Sequence, residues 1–202
     1  MKFPSSHDGE GIGAHEHRVA QAARSCGIMM PETRLLPSRR CPGYFAVRRF
    51  DRPGGGEKVH MASAGALLET SHRIPNLDYD LLLKLTLRLT DDMAQVEALF
   101  RIMALNVCIG NRDDHARNFS FLYDERAGQW LLSPAYDLTS NPGMNGEHAT
   151  TVNGRGRGIT AEDVVAVGER AGISGRRARS IEREVRDVAG DAGLLVEDEA
   201  AS

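Results

Sequence analysis

Apolar residues along much of this chain recur every three to four positions, the spacing that lines one face of a helix. Between Glu16 and Cys26, Val19, Ala20, Ala22 and Ala23 form such a stripe, and Gly27 supplies the stop. The run "DYDLLLKLTLRLT" predicts a strong helix, and "DDMAQVEALFRIMALNVCIG" predicts a second. In the latter, Val96, Leu99, Phe100, Met103 and Val107 share a face. Asp91 and Asp92 stand near its start, where the helix dipole favours acids, and Gly110 ends it. Thr160 predicts the cap of a helix running through Glu169, with Asp163 three residues on as a capping-box partner. A last helix begins near Ser174 and turns Ala178, Ile181, Val185 and Val188 inward.

The remaining segments carry strand and turn signals. "MKFPSS" reads as a clipped opening strand, and Gly9, Gly11 and Gly13 as a flexible lead-in to the first helix. "GYFAVRRFD" is rich in β-formers and ends in the turn "DRPGGGEK". "FSFLYDERAGQWLLSPAYDL" predicts a hairpin, with strands over Phe119–Leu122 and Trp130–Leu132 around turn residues Asp124 to Gly128. The expected fold class is therefore α+β. A small α/β piece (1–60: strand, helix, strand) precedes a larger, mostly helical piece with one hairpin (61–196), and the tail 197–202 is expected to fray.

Composition changes this picture little. The chain has 202 residues, 41% hydrophobic and 26% charged, which is ordinary globular usage and enough for a sizeable core. A net charge of −3 excludes the whole molecule as an electrostatic nucleic-acid binder and leaves only local basic patches. Three widely spaced cysteines (Cys26, Cys41, Cys108) form neither a zinc motif nor a disulfide framework, and suggest a reducing compartment. Apolar runs near the termini are too short for a signal peptide or a membrane span, so a cytoplasmic protein is expected.

The chemistry concentrates in "GNRDDHARNFS", Gly110 to Ser120, on the loop between the long helix and the hairpin. Asp113 and Asn118 stand five residues apart, the D-x-x-x-x-N step of a kinase catalytic loop. There the Asp accepts the proton of the attacking hydroxyl and the Asn holds magnesium. That chemistry also needs a carboxylate on the metal from a separate strand end. Asp137, in "LLSPAYDLTSNP", follows the hairpin that returns to the same edge. One carboxylate and one amide oxygen suit Mg2+, which takes few protein oxygens and completes its shell with the phosphates of ATP. A kinase further needs a lysine on the phosphates and a helix glutamate to orient it. Lys2 on the opening strand and Glu16 in the next helix stand in that order. The spacing selects Asp113, so Asp114 is expected to be a solvated loop residue.

Taken together, "KFPSS…HE…A…GI…P", "FAVRRFDR", "GNRDDHARNFSF" and "LSPAYDL" resemble the HipA-like family of toxin Ser/Thr kinases from type II toxin–antitoxin systems. The resemblance spans the chain from Lys2 to about the last helix. It implies a protein-kinase-like fold with a truncated small lobe, Asp113 as catalytic base, Asn118 and Asp137 as magnesium ligands, and Lys2 as the phosphate lysine. It also implies His115 beside the nucleotide, Tyr136 before the metal Asp, and a lobe linker near Arg48, Arg49 and Phe50 whose backbone meets the adenine. Implied partners are a protein substrate, in this family typically of the translation machinery, and a DNA-binding antitoxin. The family's chain carries a large region with a glycine-rich phosphate loop ahead of the lysine. Here a separate chain supplying that lobe and a shortened chain are both open.

Other features carry less. His15, His17, His60, His72 and His148 lack metal spacing and read as surface or structural residues. By the resemblance, Arg155 and Arg157 in "GRGRG" belong to a basic loop that touches DNA phosphates in a repression complex; as a bare sequence it reads equally as a solvated loop. "GRRARSIEREVR" is balanced by Glu182 and Glu184 and reads as a solvated helix face. The competing functions are an ATP/Mg-dependent Ser/Thr kinase and a truncated, non-catalytic module that binds an antitoxin or partner chain. A metal-dependent phosphohydrolase built on Asp113, His115 and Asp137 ranks below both, because a two-metal site needs more ligands.

Overall fold

A computed structural model of the chain describes residues 9, 11–70 and 77–196. Lys2, the predicted opening strand, His72 and the tail lie outside the described residues. The element order is α1 (Ile12–Ser25), β1 (Thr33–Leu36), β2 (Tyr44–Val47), β3 (His60–Ser63), α2 (Ala64–Leu67), β4 (Leu77–Asp78), α3 (Tyr79–Thr90), α4 (Met93–Cys108), β5 (Ser120–Asp124), β6 (Gln129–Leu132), β7 (Thr150–Thr151), α5 (Ala161–Arg170) and α6 (Gly175–Asp191).

The predicted helices are present, and α4 is the one the others surround. Its residues from Ile102 to Cys108 are all buried, and Val96, Leu99 and Phe100 add the preceding turns. A helix apolar all round belongs inside. It packs against α3, α5 and α6. Each fully buried Leu or Phe there contributes roughly 1.5–3 kcal/mol of transfer free energy. Capping follows the sequence closely. Asp92 caps α4, Asp78 caps α3, Ser174 caps α6, and Thr160 with Asp163 completes a reciprocal capping box on α5. On α6, Ala178, Ile181 and Val185 face the core fully, whereas Val188 is only half-buried.

Three expectations change. The first helix starts at Ile12, so Gly13 is no flexible lead-in. A Cβ on Gly13 would lie 2.3 Å from the Gly43 carbonyl oxygen, so the missing side chain lets α1 rest directly on the chain entering β2. A strand precedes the predicted "GYFAVRRFD" strand: β1 and β2 pair antiparallel, Thr33 opposite Val47 and Leu36 opposite Tyr44. The hairpin is the larger part of a three-stranded sheet in the order β3-β5-β6, with His60 opposite Tyr123 and Ser63 opposite Ser120. A short parallel pair, β4 with β7, ties Leu77 to Thr150. No helix among the described residues is long and apolar enough to cross a membrane.

The crossing of α5 with α4 and α6 also depends on a missing side chain. A Cβ at Gly168 would fall 2.7 Å from Cε2 of Phe100 and 3.1 Å from Cβ of Ala178. Phe100 is fully buried and its ring has nowhere to retreat. Gly168→Ala is therefore expected to destabilise by about 1–3 kcal/mol, outweighing alanine's better helix propensity. A urea melt showing unchanged or raised stability would refute this packing.

Candidate active site

The segment 110–120 is a loop held at both ends. After α4, the Asn111 N–H donates to the Asn106 carbonyl at 2.9 Å. Toward β5, the Ala64 and Gly65 amides at the start of α2 donate to the carbonyls of Phe119 (2.8 Å) and Ala116 (3.0 Å). Within the loop the Asn118 N–H closes on the His115 carbonyl at 2.8 Å, and the Asn118 side-chain Nδ2 donates to the Asp113 carbonyl at 2.8 Å. The five-residue step thus becomes one closed turn. It leaves Asn118 Oδ1 as the amide oxygen for other chemistry, and Asp113 is exposed.

The hairpin brings the second segment to the same edge. The Ser133 N–H donates to the Ser120 carbonyl at 2.9 Å. Tyr136 then does most of the stitching. Its hydroxyl donates to the carbonyl of Arg117, directly before Asn118, and accepts from Ser120 Oγ at 2.6 Å. Burial pushes the Tyr136 phenol up, the Ser120 hydrogen bond works against that, and the neighbouring Asp137 charge adds to it. A phenol kept neutral retains the proton it donates. Asn118, Tyr136 and Leu138 line one small cavity, and Asp137 lies between the last two in the chain. Asp137 is exposed and sits at φ 58°, a left-handed conformation costly for a residue with a Cβ. Such strain clusters at functional sites.

Next to Tyr136 lies a mostly apolar cleft of about 190 Å³, lined by Val47, Arg48, Arg49, Phe50, Met61 and Tyr136 among others. The rings of Phe50 and Tyr136 are 5.6 Å apart. The linker residues and Tyr136, placed at the nucleotide by resemblance alone, therefore share one cleft beside Asp137. Arg49 is exposed, but its guanidinium is held in place by a carboxylate of the same turn. It holds the buried carboxylate of Asp51, whose pKa is lowered chiefly by that hydrogen bond. Arg48 donates to the Pro53 carbonyl at 3.0 Å. Glu16 is buried on α1, and its predicted partner Lys2 lies outside the described residues. His115 is half-buried within the closed turn.

Asp114 corrects the sequence reading. It is fully buried. Its carboxylate accepts from the Tyr79 hydroxyl (2.8 Å), His148 Nδ1 (3.0 Å) and the Thr150 N–H (3.2 Å), and its carbonyl accepts from Thr150 Oγ1. Tyr79 in turn accepts from Asn106 Nδ2, and Asn106 accepts from Asn111 Nδ2. Burial, then the Asp114 charge, hold the Tyr79 phenol well above its usual range. Asp113 faces solvent while its neighbour anchors the loop from below. His148 is accordingly structural, and nothing in the D-D doublet distinguishes the two roles. His15 has a structural role: its Nε2 meets Ser140 Oγ at 3.1 Å and accepts from the Ser140 N–H at 3.4 Å, joining α1 to the segment after Asp137. Burial lowers its pKa, in keeping with a neutral acceptor. Arg155 pairs with Asp163 and Arg157 with Glu147, so both arginines of the predicted DNA-touching loop are ion-paired within the chain.

Residues 1–192 match the model of the HipA-like C-terminal domain. The chain belongs to this family. It is 28% identical over 167 residues to a Sinorhizobium fredii protein named "Putative kinase Y4dM", covering 76% of this chain and 40% of that protein. A Haemophilus influenzae protein named "Putative kinase" is 25% identical over 150 residues, covering 68% of this chain and 43% of the other. The chain thus spans less than half the length of these curated relatives. Among solved structures it superposes on HipA of Shewanella oneidensis MR-1, determined with HipB and operator DNA, at a TM-score of 0.76 and 17% identity, over 98% of this chain and 52% of that one. The Helicobacter pylori proinflammatory kinase CtkA superposes at 0.56 and 12% identity, over 96% and 86% of the two chains. The HipA-like, kinase-like fold is common to all three.

Proposed function

We propose that this chain is the catalytic-lobe portion of an ATP- and magnesium-dependent protein Ser/Thr kinase of the HipA-like toxin type. The observation that supports the reading is the Tyr136 hydroxyl, which ties the segment bearing Asp137 to Ser120 and to the backbone beside Asn118, in the loop that also bears Asp113. The donor set fits magnesium. Asn118 Oδ1 and the Asp137 carboxylate are hard oxygens, and two protein donors leave room for phosphates. When bound, the ion supplies charge neutralisation on the transferring phosphoryl group.

In this reading the cleft at Phe50 and Tyr136 takes the adenine, and His115 lies on the nucleotide side. Asp113 accepts the proton of the acceptor hydroxyl as that oxygen bonds the γ-phosphorus and the bond to ADP breaks. Most of the acceleration comes from positioning and preorganised charge. A Lys2–Glu16 pair would steady the phosphates. A DNA-binding antitoxin is proposed as partner because the Shewanella HipA neighbour was solved with HipB and DNA, and the acceptor would be a cellular protein.

The test is transfer of labelled γ-phosphate from ATP to a protein acceptor, with magnesium and with EDTA, alongside nucleotide binding. Magnesium-dependent transfer is expected. No transfer together with no detectable nucleotide binding would overturn the kinase reading in favour of a non-catalytic module that binds an antitoxin or partner chain.

A further inference from the structure

Helix α1 carries the buried carboxyl of Glu16, and the residue just before it reaches across to the catalytic segments. His15 Nε2 accepts the Ser140 N–H at 3.4 Å and lies 3.1 Å from Ser140 Oγ. A ring nitrogen that accepts from an amide carries no proton, so the hydroxyl donates to it as well and the ring proton sits on Nδ1. Burial, then the charge of Arg18, lower the His15 pKa, in keeping with this neutral form. Ser140 lies three residues beyond Asp137 and directly before Asn141. The Asn141 N–H donates to the Gly110 carbonyl (3.0 Å), and the Arg112 N–H donates to the Asn141 carbonyl (3.1 Å). A continuous path of bonds therefore runs from α1, through the segment after Asp137, into the loop just ahead of Asp113. Elsewhere α1 rests on β1 and β2, and at its far end Arg101 donates to the Cys26 carbonyl at 2.9 Å. Near Glu16 the tie to the helical part of the fold is His15. Successive side chains on a helix point about 100° apart, so holding the His15 ring fixes the direction of its neighbour.

We propose that His15 is a positioning residue: by holding Ser140 it sets the rotation of α1, and with it the Glu16 carboxylate, against the segments that carry Asp137 and Asp113. The inference rests on the kinase reading for what Glu16 does toward the phosphates, and on the hydrogen bonds for the tie itself. A path of packed and bonded groups can couple two segments in this way, and its worth is read by perturbing both ends.

The experiment compares the full chain with His15→Leu, His15→Gln, Glu16→Gln and the double variant His15→Leu/Glu16→Gln. Leucine removes the acceptor, whereas the glutamine amide oxygen can still accept from Ser140. ATP and adenosine affinities in magnesium, label transfer from ATP, and exchange of the Ser140 amide are measured. His15→Leu is expected to weaken ATP binding and transfer by about two- to thirtyfold and to leave adenosine binding unchanged, because adenosine offers no phosphates. The Ser140 amide should exchange faster. His15→Gln should recover most of each loss, and in the Glu16→Gln background His15→Leu should cost nothing further. Ser140→Ala, which keeps the N–H and drops the hydroxyl, should show part of the same ATP-specific loss even if His15→Leu folds poorly. Equal losses for ATP and adenosine, or the same loss with and without Glu16, would mark His15 as merely structural and overturn the proposal. Unchanged Ser140 exchange in His15→Leu also overturns it, while transfer by the parent chain would leave the kinase reading standing. In a chain that neither binds nucleotide nor transfers phosphate, Ser140 exchange that quickens in His15→Leu and recovers in His15→Gln would support the tie and remove the kinase reading instead.

Discussion

Asp113→Asn is expected to lower phosphoryl transfer by about 10²- to 10⁴-fold, the usual contribution of a positioned general base. The same variant should melt within about 0.5 kcal/mol of the parent chain, because Asp113 is exposed and the bond that closes the loop uses its backbone carbonyl rather than its carboxylate. Nucleotide affinity should hold, since the cleft at Phe50 and Tyr136 does not include Asp113. Asparagine keeps the shape and hydrogen-bonding reach but cannot take the proton. Equal transfer by both proteins would remove Asp113 from the chemistry.

The next residue should behave in the opposite way. Asp114→Ala leaves the Tyr79 hydroxyl, His148 Nδ1–H and Thr150 N–H facing an apolar void in a fully buried site. Losing one member of a buried, charge-assisted network costs about 3–5 kcal/mol, a large share of a domain's total stability. The expected result is a chain that unfolds at much lower urea, or accumulates poorly, whatever its activity. Asp114→Asn is the informative companion. Its amide places a donor against donors, but His148 can shift its proton to Nε2 and accept at Nδ1, so a loss of about 1–3 kcal/mol is expected. If Asp114→Ala were as stable as Asp113→Ala in parallel melts, the anchoring role would be wrong.

This contrast shows what the sequence could and could not convey. The turn from Asp113 to Asn118 is local, so its spacing was readable. The hairpin ahead of Asp137 was readable too, because it carries clear turn residues. The helices α3, α4 and α6, and the Thr160–Asp163 box, follow from apolar spacing and caps that lie within a few residues of each other. Asp114 was misread because all its partners are distant in the chain: Tyr79 opens α3, while His148 and Thr150 follow the long loop. β3 escaped for a related reason. "HMAS" shows no two-residue alternation of its own and is extended because it borders β5. The start of α1 was placed too late because glycines at 11 and 13 weaken the helix signal, whereas Gly13 is needed where the helix backbone meets Gly43.

The pairings of β3 with β5 and of β4 with β7 set an order of assembly. The hairpin of α3 and α4 joins neighbours in sequence and can form early. His60 must wait for Tyr123, and Leu77 for Thr150, before the loop bearing Asp113 is closed from both sides. Contacts between distant segments bear the loop-closure entropy and form late. In a chain emerging from the ribosome, the helical scaffold would therefore exist before the site it carries. Amides of α4 should be the slowest to exchange with solvent, and those of residues 148–152 should gain protection only in the last kinetic phase. The loop bearing Asp113 is thus closed from both sides only after the segment through Thr150 has been made.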